Sequence, residues 1–346
     1  MRPLTLWRLV MHCAILAAVL LAVVVVALKF GAVPVSLYGL GRDLLSVLLG
    51  HTNSISSDYG MIISDIRLPR IILGIFVGAA LSVAGTSFQA LLRNPLADPY
   101  VLGVSSGAAL GAVLAIIAEP HLAISPSLAA LFTPLGAFLG AAATIAAVYF
   151  LGRREGQIDS GTLLLAGIIS ASLLSAIIIF LMTTLSGRDL HGMQFWLMGD
   201  LSISLQQNLR WVLGIGFVLA SGVIYTTAAD LNLLLAGEKE AMHLGVDVRR
   251  VRLVVYVAAS ILTGLAVSVS GAIGYVGLLV PHVMRLIFGS DHRILIPVAA
   301  FGGAIAVVIA DTLARTVVAP NELPVGAMTA LAGAPLFLYL LRKGFA

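Results

Sequence analysis

The chain has 346 residues, of which 60% are hydrophobic and only 10% are charged, and its formal net charge is +4 at pH 7. Soluble domains carry about one quarter Asp, Glu, Lys and Arg, so this composition excludes a soluble globular protein and requires lipid around most of the surface. The single cysteine, Cys13, excludes an internal disulfide and a multi-cysteine zinc site.

Long apolar runs without strand-like alternation predict membrane-spanning helices, each of which needs about 20 residues. The first run, 9–29, resembles a signal peptide but is longer than the apolar core of one, so we interpret it as an uncleaved first span. Nine further runs complete an all-α integral membrane bundle of about ten transmembrane helices in one domain, 1–346. These runs are 68–92, 100–118, 127–151, 161–185, 206–229, 251–270, 273–288, 295–316 and 324–342.

Lys and Arg residues cluster at the ends of the predicted spans. If the N-terminus is inside, 13 of the 20 face the same side as both termini, which predicts cytoplasmic termini in a multi-pass membrane protein. This clustering is the ordinary topology signal, so the basic isoelectric point does not indicate a nucleic-acid partner. The seven histidines show no H-x-x-H or H-x-x-x-H spacing, and no protein-bound metal is expected.

The stretch "LLRNPLADPYVLG" places an unusually polar segment between the second and third runs. Asn94-Pro95 predicts the end of one helix, because proline disfavours helical backbone in the residue before it. Asp98 and Pro99 predict the start of the next, as N-cap and first helical residue. A rigid hairpin accounts for this elbow, and a gate or docking surface is the functional alternative.

The longest inner connector, "ADLNLLLAGEKEAMHLGVDVRRVR", contains a predicted short helix from Glu238 to Leu244. Gly237 precedes it, and Gly245 is expected to close it as a left-handed cap. Its apolar members Ala241, Met242 and Leu244 have little core of their own, which favours a partner surface. A helix resting on lipid headgroups is the alternative. A second short interfacial helix is predicted within 186–205.

Three arginines on the predicted outer side run against the usual inside bias of positive charge: Arg67, Arg70 and Arg315. Headgroup contact explains them, and a specific acidic partner is the alternative. The chain lacks a G-x-x-x-x-G-K-[ST] motif, so no ATP site of its own is expected. It also lacks a recognisable nucleophile–base pair, and we do not expect an enzyme.

Four segments resemble the FecCD-type permeases, the membrane subunits of bacterial ABC importers for ferric siderophores, haem and cobalamin. They are "RLPRIILGIFVGAALSVAGTSFQALLRNPLADPYVLGVSSGAALGA", "LAGEKEAMHLGV", "GAIGYVGLLVPHVMRLIFGSDHR" and "ELPVGAMTALAGAPLFLYLLRK". The resemblance implies a cobalamin-permease-like (type II importer) bundle in the bacterial inner membrane. It also implies a homodimer with two ATPase subunits, which hold the ATP and Mg, and a periplasmic binding protein.

The resemblance also implies functional positions. Cytoplasmic gate residues would be Asn94, Leu96, Asp159, Ser160 and Gly161. ATPase coupling would fall within 230–250, on Gly237, Glu238, Ala241, Leu244 and Gly245. Binding-protein docking would use Arg67, Arg70 and Arg315. Gly161 departs from the pattern, because the cobalamin permease has a hydroxyl residue there.

The rival interpretation is an ion-coupled secondary transporter that needs no ATPase. Such proteins usually keep an ionisable residue at mid-membrane. The clear charges here map near span ends, with Asp311 one turn deeper, and this weighs against ion coupling. For the cargo, a ferric siderophore is the first expectation, and cobalamin or haem follows.

Overall fold

A computed structural model describes residues 5–31, 62–122, 125–154, 157–183, 187–202 and 207–343. The first helices are α1 (Leu6–Lys29), α2 (Leu68–Leu91), α3 (Val104–Ala118), α4 (Pro126–Leu151), α5 (Ser160–Met182), α6 (Gly187–Leu197) and α7 (Gln207–Thr226). The remaining ones are α8 (Ala228–Ala236), α9 (Glu238–His243), α10 (Val248–Ser270), α11 (Val276–Phe288), α12 (His292–Thr316) and α13 (Val325–Lys343). A two-residue antiparallel ladder joins β1 (Arg153–Arg154) to β2 (Gln157–Ile158).

The predicted all-helical membrane fold is confirmed. Within the described ranges, eight helical segments are long and apolar enough to cross a membrane, and two shorter apolar helices lie at 276–288 and 325–340. Together they account for the ten predicted spans, with ends that agree within about four residues. The helix expected within 186–205 is α6.

Two boundaries differ from the prediction for a physical reason. Asp98 caps a 3-10 helix, Pro99–Leu102, and the α-helix begins only at Val104, after Gly103 adopts a left-handed φ of +77°. The run predicted at 273–288 becomes helical only at Val276, because Gly271 and Tyr275 have positive φ angles. An apolar run therefore marked the membrane segment correctly but did not reveal its non-helical first part.

The centre of the bundle is formed by α2, α10 and α12. Their most apolar windows are 83%, 78% and 67% buried, against 6% for α1 and 17% for both α5 and α7. Glycine allows the closest crossings. A Cβ on Gly78 would lie 2.1 Å from the Gly303 carbonyl oxygen, and one on Gly85 would lie 1.8 Å from that of Gly277. The helix backbones of α2 touch those of α12 and α11 directly at these points.

Glycine residues spaced along both helices pack α3 against α4. A Cβ on Gly111 would lie 2.0 Å from the Gly136 carbonyl oxygen, and one on Gly140 would lie 2.2 Å from that of Gly107. Neither position can carry a side chain without separating the helices. The third and fourth spans therefore form a tight hairpin beside the central helices.

Candidate functional site

The elbow, which we define as Arg93–Gly103, is fixed by local hydrogen bonds. The Asn94 side chain accepts a bond from the Leu96 amide at 2.9 Å, and that of Asp98 accepts one from the Tyr100 amide at 2.8 Å. Side-chain-to-backbone turns of this kind are the normal use of Asn and Asp in loops. The predicted capping role of Asp98 is confirmed, and Leu96 lies on the exposed side.

The elbow is also wedged between other elements. The Tyr100 hydroxyl donates to the Ile273 carbonyl and accepts from the Ile273 amide, both at 3.1 Å. A Cβ on Gly277 would lie 2.9 Å from Pro99, and one on Gly167 of α5 would lie 2.4 Å from the Val101 carbonyl oxygen. The elbow therefore touches the start of α11 and the middle of α5, and displacement of one is transmitted to the others.

The start of α5 contains the other predicted gate residues. The Asp159 side chain caps this helix, because its Oδ1 accepts bonds from the Thr162 amide at 2.8 Å and the Thr162 hydroxyl at 2.6 Å. Ser160 is the first helical residue, and Gly161 is exposed. A Cβ on Gly161 would meet only Asp159 Oδ1 within 4 Å, at 3.6 Å. The hydroxyl that is missing at Gly161 is thus present one residue later, at Thr162.

The predicted coupling helix exists as α9, and its glycines have the expected roles. Gly237 has φ 136° and ψ 151°, a conformation open essentially to glycine alone. Gly245 has φ +87°, as predicted for a left-handed cap, and the Val246 amide donates to the Ala241 carbonyl to close the helix. Ala241 is fully buried, while Leu244 is 66% exposed. One face of α9 joins the bundle, and the other is free within the described chain.

The segment before α9 is attached to the start of α12. Asn232 of α8 donates to the Asp291 carboxylate at 2.7 Å and accepts from the His292 amide at 2.9 Å. Hydrogen bonds from Arg293 are the largest cause of the lowered pKa of Asp291, about 2, and the bond from Asn232 adds to it. Asp291 therefore stays ionised and keeps α8 joined to α12 at physiological pH. No local sequence pattern indicates this contact, because its partners are 59 residues apart.

The elbow and α9 are joined by a shared carboxylate. Glu238 Oε1 lies 2.5 Å from Nη2 of Arg93 and 2.5 Å from Nη2 of Arg252 on α10. The Arg93 side chain is 45% exposed and that of Arg252 is 10% exposed. An exposed pair of this kind contributes less than about 1 kcal/mol, whereas the pair with Arg252 is better shielded from solvent. Glu238 was among the predicted coupling residues, whereas neither of its arginine partners was predicted from the sequence.

The three predicted docking arginines lie at the other end of α2 and α12 and bond within the chain. Arg70 Nε is 2.7 Å from Asp311, and its Nη1 is 2.7 Å from Glu322; Arg315 Nε is 3.0 Å from Asp311. Arg67 donates to the Leu28 carbonyl at the end of α1. The arginine residues are only 3 to 7% exposed. The structure therefore gives them internal contacts, and their docking role stays a prediction.

Comparison with known proteins gives a consistent result. The model of the FecCD transport family matches residues 17–343. The chain is 45% identical over 282 residues to the cobalamin import system permease protein BtuC of Halobacterium salinarum, covering 82% of this chain and 73% of that protein. It is 44% identical over 287 residues to the hemin transport system permease protein HmuU of Yersinia pestis, covering 81% and 82%. A solved metal-chelate type ABC transporter in an inward-facing conformation superposes with a TM-score of 0.81 at 30% identity, covering 96% of this chain and 99% of that one.

Proposed function

This chain belongs to the FecCD transport family, and from that premise we propose that it translocates a metal chelate into the cell as the membrane subunit of an ABC importer. It is a translocation component and not itself an enzyme, so ATP hydrolysis belongs to separate ATPase subunits. The relatives named above carry cobalamin and hemin in their names, and a metal chelate is the class they share. A ferric siderophore is our first candidate cargo, and cobalamin or haem follows.

The exposed face of α9 is the observation that carries the proposal. Met242 and Leu244 are 55% and 66% exposed, while Ala241 in the same helix is fully buried. Gly237, Glu238 and Asn232 fix this short helix to the bundle, so a protein that binds the face can push on the membrane helices. We propose that one ATPase subunit docks on α9 of each copy, with the 230–250 segment as its coupling surface.

The elbow provides the movable part. Its prolines and side-chain turns make it a stiff unit, and Tyr100, Pro99 and Val101 connect it to α11 and α5. We propose that a gate closes the cytoplasmic end of the translocation path. Its residues are Asn94, Leu96, Asp159, Ser160 and Gly161. Movement of α9 would displace this unit and open the gate.

A second copy of the chain would complete the translocation path for the cargo. On the outward face of α5, Leu165, Ile169 and Leu173 are 58 to 62% exposed, and Leu331 of α13 is 70% exposed. Such faces suit either lipid or a second subunit, and the family resemblance favours a homodimer. A periplasmic binding protein would deliver the chelate to the end that contains Arg67, Arg70 and Arg315. Both termini would then lie in the cytoplasm, with the subunit in the inner membrane.

The ion-coupled transporter is disfavoured by the surroundings of Asp311, the one acidic residue that the sequence placed deeper in a span. Its carboxylate is paired with both Arg70 and Arg315 near the end of α12. Two arginines of the same chain already engage this carboxylate. The observed pairing favours a structural role.

The deciding experiment is purification of the tagged protein from its native membrane, followed by reconstitution into proteoliposomes with whatever subunits accompany it. The expected result is a stoichiometric subunit with a Walker motif and ATP-dependent uptake of an iron chelate, corrinoid or haem, followed by its absorbance. A dimer that carries no ATPase in mild detergent, and that transports only when an ion gradient is imposed, would overturn the proposal.

A further inference from the structure

The backbone of Arg93 adopts a conformation that is unusual for a residue with a side chain. Its φ is +49°, and the only other non-glycine residue with positive φ in the described chain is Tyr275. The Asn94 amide donates to the Gln89 carbonyl, and the Arg93 amide donates to the Ala90 carbonyl. This is the ordinary helix-ending motif, in which glycine is the preferred residue at the left-handed position. The end of α2 therefore contains a strained backbone conformation at Arg93, a position where glycine would be unstrained.

The side chain of Arg93 makes a contact that glycine could not make. It leaves the end of α2 and reaches Glu238, the first residue of α9, which lies 145 positions later in the chain. Its partner oxygen on Glu238 is the one that also contacts Arg252 of α10. One carboxylate thus connects the elbow, the coupling helix and a central helix of the bundle.

The two ion pairs of Glu238, with Arg93 and with Arg252, differ in how easily they can break. Arg252 lies near the start of α10. Its side chain is 10% exposed, so its contact with Glu238 is shielded from water. The Arg93 side chain is 45% exposed, and water can replace Glu238 as its partner at little cost. Arg252 therefore holds Glu238 in place, while the bond to Arg93 is able to form and break.

We infer that Glu238 and Arg93 form a latch through which movement of α9 reaches the elbow. Both are positioning residues, because their role is to transmit motion from one helix to another. The inference rests on the proposed importer function and adds to it the contact that links the ATPase-facing helix to the gate. With the latch closed, α9 and the elbow move together; with the latch absent, α9 moves without the elbow.

Replacing Arg93 by glycine separates this role from a structural one. Arg93→Gly removes the side chain and also the backbone strain, because glycine accepts the left-handed conformation freely. The thermal midpoint should therefore stay equal to that of the wild type or rise. Glu238→Gln breaks the same contact from the other side, and it also removes the carboxylate charge that contacts Arg252. Arg8→Gln removes a charge from the same side of the membrane, on peripheral α1, and is the matched control.

The test uses the complete importer in proteoliposomes and measures ATP hydrolysed per chelate transported. Arg93→Gly and Glu238→Gln should each raise this ratio about fivefold or more, and the double variant should be no worse than the poorer single variant. Arg8→Gln should keep the wild-type ratio. A wild-type ratio in Arg93→Gly, or losses that multiply in the double variant, would overturn the latch.

The same measurements separate failure of the latch from failure of the proposed function. If the wild-type complex takes up no chelate with ATP, the importer itself is wrong, and the latch has nothing to couple. If the wild type transports normally and both single variants do too, only the latch is wrong. A fall in the thermal midpoint of Arg93→Gly by several degrees would show that the residue is structural, and would also refute the inference.

Discussion

Replacing Gly85 by alanine tests the close contact between α2 and α11. The added Cβ would lie 1.8 Å from the Gly277 carbonyl oxygen, and an ordinary contact begins at 3.4 Å, so the two backbones must separate by about 1.6 Å. Both atoms belong to main chain, and neither can rotate away. Overpacking of this kind costs about 1–3 kcal/mol, and we expect the upper end, because alanine's better helix propensity recovers only about 1 kcal/mol.

The consequence for transport follows from the position of Gly277. A Cβ there would also lie 2.9 Å from Pro99, so the displacement should reach the elbow. We expect Gly85→Ala to lower the thermal midpoint by several degrees in a fixed detergent, as followed by tryptophan fluorescence, and to reduce ATP-driven uptake. Gly222→Ala is the control, since a Cβ on this α7 glycine meets nothing within 4 Å. The reasoning fails if Gly85→Ala is as stable as Gly222→Ala.

Three further predictions test other contacts. Asp311→Asn removes the shared counter-ion of two buried arginines and should lower the free energy of unfolding by about 3 kcal/mol. The side chain of Glu322 is 44% exposed, so Glu322→Gln should lower the free energy of unfolding by less than about 1 kcal/mol. Equal thermal midpoints for these two variants would contradict the buried network. Asp291→Asn should cost about 1–2 kcal/mol at pH 7.5. The pKa of Asp291 in the folded protein is lowered to about 2 from 3.8. The loss of unfolding free energy relative to the wild type should therefore be complete above pH 3.8 and shrink as the pH falls toward 2. An equal loss at pH 6 and pH 3 would refute this expectation. Gly161→Ser should fold with an unchanged thermal midpoint, since its Cβ meets only Asp159 at 3.6 Å, and should reduce leak of chelate from proteoliposomes without ATP; a destabilised protein would show that the space is not open.

Local patterns in the sequence were sufficient to predict the helices and several of their ends. Apolar runs of about 20 residues identify spans because every backbone polar group must be satisfied inside lipid. Asp98 and Gly245 took the capping roles expected of them, because those roles depend on a few neighbouring residues. The start of α11 could not be located this way, since the positive φ of Tyr275 is not signalled by its residue type.

Contacts between distant residues could not be predicted from the sequence. Arg70 and Asp311 are 241 positions apart, and Arg93 and Glu238 are 145 apart. No local pattern relates such pairs, and the positive charges looked like topology signals or docking residues. Glycine permits close helix packing, but the sequence could not show that Gly78 meets Gly303 or that Gly85 meets Gly277. Three-dimensional packing alone assigns these partners.

The attachment of α1 has a consequence for the order in which the protein is assembled. This helix is hardly buried, and the carbonyl groups at its outer end receive Arg67 at Leu28 and Arg315 at Ala27. Arg67 is made 39 residues after its partner, but Arg315 is made 288 residues after its own. During synthesis α1 can therefore meet Arg67, Ile63 and Ile71 early, whereas its contacts with α12 must await insertion of nearly the whole chain. The later of these two arginines joins α12 to the first helix of the chain.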